Sequence, residues 1–267
     1  MRKNLSLFKR FRIALGLVIT TALLVMFTNV QSFAVFAKIN LTKLPHYQTD
    51  IKLAKKISQN PSEPFQKPHP LPLTLERWQD ETNSGDYFSE IKPTKYGYLI
   101  WSEFPVKIYL ETPNINNNQQ SQQWMNVVSQ TVEEWNNYLP LKIVENSEEA
   151  DIKIIRKSPP LQFTPGKKLP RARSALTSYK VYEKDNALYH RFNILLSPSQ
   201  TGKYLLAASR HELGHALGIW GHSKDKGDAL YFSQVRNPPI ISARDVNTLK
   251  KIYQQSTSLG WGNNLGT

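Results

Sequence analysis

The chain of 267 residues contains no cysteine. It therefore forms no disulfide bond, and no thiolate is present to bind a metal or to act as a nucleophile. A chain without cysteine suits a protein that folds outside the cytoplasm without oxidation.

Acidic residues are absent from residues 1–37, where five basic residues precede an apolar run from Ile13 to Phe27. Small and aliphatic residues follow at Val35-Phe36-Ala37. This order predicts a secretory signal peptide over residues 1–37, since the run is shorter than the ~20 residues of a spanning helix. The alternative is an uncleaved membrane anchor. Both predict an extracytoplasmic protein, either secreted or tethered to the membrane.

The formal net charge is +13. The positive residues are scattered, and no DNA- or RNA-binding motif accompanies them, so we expect no nucleic-acid partner. A solvated basic surface, or a loose association with anionic envelope polymers or lipid head groups, explains the charge.

The pattern of a compact domain begins at Tyr96, and upstream of it only Ile51 to Ile57 could form a short basic helix. Residues 38–95 show little periodicity and contain prolines 61, 64, 68, 70 and 72, which predicts a Pro-rich linker or pro-segment. Residues 96–255 have the pattern of one α/β (α+β) domain, and residues 256–267 of a loose tail. His190, just before the last strand, is expected at the surface. The predicted strands are 106–110, 141–144, 152–155, 175–182 and 192–196, and the predicted helices are 121–138, 202–217 and 243–253.

The strongest chemical signal is the stretch from His211 to His222. His211 and His215 are four residues apart, so both imidazoles leave one face of a helix and suit one tetrahedral zinc ion. Glu212 lies beside the first ligand and can hold a water at the metal. Gly218 permits a sharp turn, after which His222 can return as the third ligand; the alternatives are Asp225 and a distant carboxylate. Three protein ligands leave a fourth position for water, which is typical of a catalytic site.

This segment resembles the zinc signature of the metzincin metalloproteases, and within them the matrixins, H-E-x-x-H-x-x-G-x-x-H. The chain matches it at His211, Glu212, His215 and Gly218, and its third histidine comes one residue late, at His222. The resemblance implies a zinc endopeptidase with one catalytic Zn²⁺ and Glu212 as general base. It also implies a mixed twisted sheet of about five strands, with an active-site helix and a C-terminal helix.

The resemblance extends to the groove that would hold a protein or peptide substrate. Strand 175–182 would pair with the substrate backbone, and Pro238-Pro239 would shape one wall. Leu230 takes the position of the family's Met-turn methionine, and Tyr231 follows it; Tyr231 either packs or reaches the metal. Loop 158–173 has no Asp, Glu or His, so we expect no second metal there. The alternative function is an inactive zinc-containing module that binds peptides or envelope polymers.

Overall fold

The computed structural model describes residues 66–112, 118–163, 166 and 169–262. The predicted signal peptide or anchor, residues 38–65 of the predicted linker and the last five residues of the predicted tail lie outside these residues. Among the described helices, none is long and apolar enough to cross a membrane.

Five strands form one mixed sheet. They are β2 (Val106–Leu110), β3 (Leu141–Val144), β4 (Ile152–Arg156), β5 (Ala175–Lys184) and β6 (Ala187–Leu196). The sheet order is β3-β2-β4-β6-β5, with the first four strands parallel and β5 antiparallel to β6. Alternate side chains of β2 are buried, because successive residues of a strand point to opposite faces. The predicted α+β class with a mixed five-stranded sheet is therefore confirmed.

Two long helices pack against each other beside the sheet, α2 (Asn118–Asn136) and α3 (Gly202–Ala216). The buried stripe of α2 contains Trp124, Val128, Thr131, Val132 and Trp135. The Trp135 indole N–H donates to the carbonyl of Arg210 at 3.1 Å, and the Arg210 guanidinium pairs with Glu134. These two contacts fix α3, which carries the candidate metal ligands, against α2.

The hairpin of β5 and β6 is longer than the sequence pattern predicted. Asp185 and Asn186 both have positive φ, 52° and 59°, as a tight two-residue hairpin turn requires. Because β6 begins at Ala187, His190 lies on the same face as Phe192 and is only 3% exposed. The prediction of a surface histidine is wrong: its ring stacks on Trp101 with centroids 4.1 Å apart.

The closing helix α4 (Ala243–Tyr253) has the predicted bounds. Ser242 caps it, and Ser242 and Asp245 form a reciprocal capping box. The helix buries Val246, Leu249, Ile252 and Tyr253, and the Tyr253 hydroxyl donates to the carbonyl of Leu217 at 2.9 Å. Helix α4 thereby holds the end of α3 in place.

The compact unit extends beyond the predicted bounds of 96–255 at both ends. Upstream, Leu75 in helix α1 (Leu73–Arg77), Tyr87 and Ile91 are buried in the core. Strand β1 (Lys67–Pro68) pairs with β7 (Ser256–Thr257). Residues 66–95 are thus part of the folded domain rather than an extended linker, and residues 256–262 are packed where a loose tail was expected.

Candidate metal centre

Helix α3 brings His211 and His215 to one side, one turn apart. Their Nε2 atoms lie 3.1 Å apart. Two nitrogens bound to a tetrahedral zinc at ~2.0–2.1 Å are separated by roughly 3.3 Å. The pair therefore already has the spacing that a single zinc ion needs.

The chain turns sharply after α3 because two glycines allow a close approach. Gly218 has φ +132°, and a Cβ there would lie 3.1 Å from the carbonyl oxygen of Leu99. At Gly221, the residue inserted relative to the family signature, a Cβ would lie 2.7 Å from the carbonyl oxygen of Glu90. Any larger residue at this position would force the backbone to shift. The extra residue fits here because it is a glycine.

His222 joins the two helical histidines after this turn. Its ring centroid is 5.2 Å from that of His211 and 4.8 Å from that of His215. One nitrogen from each ring lies within 4.8 Å of the others, and the three residues together could hold a metal ion. Asp225 is not part of this cluster; its Oδ1 accepts the backbone N–H of Gly227 at 2.9 Å.

Hydrogen bonds to carbonyl groups fix the protonation of the two helical rings. The Nδ1–H of His211 donates to the carbonyl of Ala229 at 3.0 Å, and that of His215 donates to the carbonyl of Ile219 at 2.7 Å. Since a carbonyl only accepts, each Nδ1 carries the hydrogen and each Nε2 keeps a lone pair. Both helical histidines are therefore oriented to ligate through Nε2.

Burial favours the neutral, metal-binding form of the ligands. It lowers the pKa of His215 well below its ordinary value, with a further contribution from the nearby charge of His211. It also lowers the pKa of His222 to about 4. A cation entering the site at neutral pH therefore does not compete with a proton for these two rings.

Glu212 is buried beside the cluster and is held by strand β5. The Thr177 hydroxyl lies 2.6 Å from Glu212 Oε2 and 3.1 Å from the Glu212 carbonyl. Burial raises the pKa of Glu212, while the charge of His211, the Thr177 hydroxyl and the charge of Arg173 oppose that rise. Sequence reasoning missed Thr177 because 35 residues separate it from Glu212.

Leu230 lies directly beneath the helix that carries the ligands and is fully buried. A Cβ added at Gly214, between the two helical histidines, would lie 2.7 Å from Leu230 Cδ2. Tyr231 is partly exposed and lines the adjacent groove, with its ring 4.5 Å from that of Phe232.

Two buried aspartates hold the turn that contains Leu230, and sequence reasoning missed them. Asp245 accepts the backbone N–H of Ala229 at 2.8 Å and the Tyr87 hydroxyl at 2.6 Å. Asp228 accepts the hydroxyls of Ser223 and Ser242. The signal available for Asp245 was its place three residues after the cap Ser242, but its contact with Ala229 depends on the tertiary fold.

The cluster opens into a groove of about 1090 Å³. Its walls are the beginning of β5, helix α3, the loop from Tyr231 to Pro239 and the loop that contains Arg171 and Arg173. Pro238 and Pro239 line it, as predicted. The three histidines and Glu212 are thus reachable from solvent by an elongated ligand.

No model of a known protein family matches this chain, and no curated protein matches it either.

Proposed function

We propose that the chain is a zinc-dependent endopeptidase of the matrixin-like metzincin type, secreted or tethered to the membrane. One observation carries the proposal: His211, His215 and His222 converge beside the buried carboxylate of Glu212, in an open groove of about 1090 Å³. Three histidine ligands with an open fourth position are typical of catalytic zinc. The order of strands and helices, with β5 at the edge of a mixed sheet and α4 closing the domain, supports a metzincin-like fold.

The three histidines would hold a zinc ion, which would supply Lewis acidity and lower the pKa of a water molecule there. Glu212 would accept a proton from the attacking water as general base and deliver it to the leaving amine. The Thr177 hydroxyl keeps the Glu212 carboxylate in one orientation throughout. Leu230 supports the ligand-bearing helix from below and takes no part in proton transfer.

Strand β5 supplies the surface on which a substrate backbone would lie. Within the described part of the chain β5 pairs only with β6, so its other edge carries unpaired backbone groups. An extended peptide can add to such an edge through main-chain hydrogen bonds. Because Ala175, Leu176 and Thr177 line the groove, this pairing brings the peptide carbonyl to Glu212.

The test is Glu212→Gln in the purified chain. We expect the variant to retain one equivalent of zinc, measured by elemental analysis, and to lose at least ~10²-fold in peptide hydrolysis, the contribution of a general base. Glu183→Gln is the matched control, since it neutralises an exposed carboxylate at the far end of β5.

Three outcomes would contradict parts of the proposal. If Glu212→Gln keeps near wild-type turnover, Glu212 is not the general base. If the variant loses zinc, Glu212 contributes to metal binding. A wild-type chain that binds peptides and zinc but cuts none would be the inactive binding module instead.

A further inference from the structure

The groove is lined by two arginines, Arg171 and Arg173, and neither forms an ion pair with a carboxylate of the described residues. Apart from the three histidines, its charged lining residues are Arg171, Arg173, Glu212 and Asp228. Glu212 is the proposed base. Asp228 is only 1% exposed. Its carboxylate accepts hydrogen bonds from the Nε–H of Arg244 at 3.1 Å and from two serine hydroxyls. The two arginines therefore set the charge that a substrate side chain meets.

Both arginines are held at the rim of the groove by Gln162. The backbone of Arg171 exchanges two hydrogen bonds with that of Gln162, each 2.8 Å long. The Nε–H of Arg173 donates to Gln162 Oε1 at 3.3 Å. In the described part of the chain, neither guanidinium forms an ion pair with a carboxylate. Neither guanidinium is thus committed to a carboxylate, although the charge of Arg173 also acts on Glu212.

The surrounding segment offers no internal carboxylate. Residues 152–182 contain eight Lys and Arg residues and no Asp or Glu. Of these eight, Arg171 and Arg173 line the groove, and Lys153 is paired with Glu148 outside the segment. Two like charges on one wall of a cleft raise its positive potential and attract anionic groups. An anionic ligand is therefore favoured on this side of the groove.

We infer that Arg171 and Arg173 form a subsite for an acidic side chain of the substrate, so that peptides with Asp or Glu near the scissile bond are preferred. The inference rests on the proposed function, because the same groove holds the substrate. The arginines directly precede Ser174 and the first residues of β5, along which the peptide backbone would lie. A guanidinium binds a carboxylate through two parallel hydrogen bonds, which Gln or Asn cannot reproduce.

The experiment scans one charge through a peptide. A fluorogenic peptide of eight residues carries a single Glu at each position in turn, with Gln at the same position as its neutral partner. We expect a Glu/Gln ratio of kcat/KM of about ten at one or two adjacent positions, the size of one hydrogen-bonded charged contact, and about one elsewhere.

Two variants and a control assign the preference to the arginines. Arg173→Gln and Arg171→Gln should each lower the ratio toward one at the preferred position. Arg236→Gln is the matched control: it removes the same charge from the loop at Val235 and Pro238, but Arg236 does not line the groove. Arg173→Glu should reverse the preference and favour a Lys peptide, an outcome that mere damage to the groove does not produce.

The remaining outcomes separate this inference from the proposed function. Hydrolysis with a Glu/Gln ratio near one at every position overturns the acidic subsite and leaves the endopeptidase intact. If nothing is cut, fluorescence anisotropy with the same labelled peptides on zinc-loaded Glu212→Gln protein tests the subsite by binding alone, and equal affinities overturn it.

The competing interpretation is that this rim binds a membrane surface, because three apolar residues nearby are exposed. Leu161, Phe163 and Leu169 are 51%, 77% and 82% exposed. Wild-type chain and both Arg→Gln variants are therefore also sedimented with phosphatidylglycerol vesicles. Loss of vesicle binding in the variants, with unchanged Glu/Gln ratios, would reject the inference in favour of membrane docking.

Discussion

The Thr177 hydroxyl and the Glu212 carboxylate are joined by a hydrogen bond of 2.6 Å, which links edge strand β5 to helix α3. The same hydroxyl is 3.1 Å from the Glu212 carbonyl. The strand proposed to bind substrate and the residue proposed to move the proton therefore share one contact. Both groups are buried, so water does not easily replace it.

We expect Thr177→Val to reduce kcat by about tenfold or more without loss of zinc. Valine has the shape of threonine but no hydroxyl, so Glu212 loses its orienting partner while the three histidines are untouched. A hydrogen bond to a charged group contributes about 1.5–3 kcal/mol. The measurement is steady-state hydrolysis with parallel zinc analysis. Thr177→Ser keeps the hydroxyl and should retain most activity; equal loss in both variants would indicate a packing role instead.

Gly214→Ala should destabilise the protein, although alanine is normally better than glycine within a helix by about 1 kcal/mol. The new Cβ would lie 2.7 Å from Leu230 Cδ2 and 3.0 Å from Trp135 Cζ2. Overpacking of this kind costs about 1–3 kcal/mol. Urea unfolding of the metal-free protein measures the change in the free energy of unfolding. Leu230→Met is the control and should change the free energy of unfolding by less than about 1.5 kcal/mol; a stabilised Gly214→Ala would contradict the close contact.

Parts of the fold and of the three-histidine cluster could be predicted from the sequence where they depend on residues close together in the chain. The spacing of His211 and His215 places both on one helical face, and Gly218 signals the turn that returns His222. The capping box at Ser242 fixes the start of α4. His190 could also have been placed correctly, since it continues the alternation of Phe192, but the start of β6 was set too late.

Other features depend on contacts between distant parts of the chain. Residues 66–95 lack periodicity, and yet Tyr87 and Ile91 are buried because the core and α4 offer partners such as Asp245. Gly221 looked like an irregularity in the zinc signature. The structure shows that it is the point where Glu90 approaches, and no pattern in either segment indicates that contact.

His190 should make the protein less stable in acid. Burial lowers its pKa from an ordinary value of 6.5 to about 3, so the unfolded chain binds a proton there that the folded chain does not. Stability from this residue is complete above pH 6.5 and is lost as pH falls toward 3, with a slope of up to about 1.4 kcal/mol per pH unit. His190→Phe should remove that slope.

Urea unfolding of metal-free wild type and His190→Phe at several pH values between 4 and 7 measures this difference. All other titratable groups are common to both proteins, so the difference between the two curves isolates His190. Parallel curves would mean that His190 is as accessible to protons in the folded chain as in the unfolded one.

His222 should prove to be the third metal ligand, with no role for Asp225. The ring of His222 lies 4.8 Å from that of His215, whereas Asp225 Oδ1 accepts a backbone N–H within its own turn. Loss of a residue that merely supports a ligand costs 10–100-fold in metal affinity, so His222→Ala should weaken zinc binding by at least about 100-fold. Asp225→Ala should leave the affinity within a few fold of wild type.

Competition with a chromophoric chelator measures both affinities, and circular dichroism of the metal-free proteins shows whether each variant still folds. A folded His222→Ala protein that holds zinc as tightly as wild type would falsify the three-histidine site. Weak binding by Asp225→Ala with normal binding by His222→Ala would move the third ligand to the carboxylate. Equal weakening in both variants would instead mean that the turn from Gly221 to Asp228 acts as a unit. In that event Asp225, through its hydrogen bond to Gly227, positions His222 rather than competing with it.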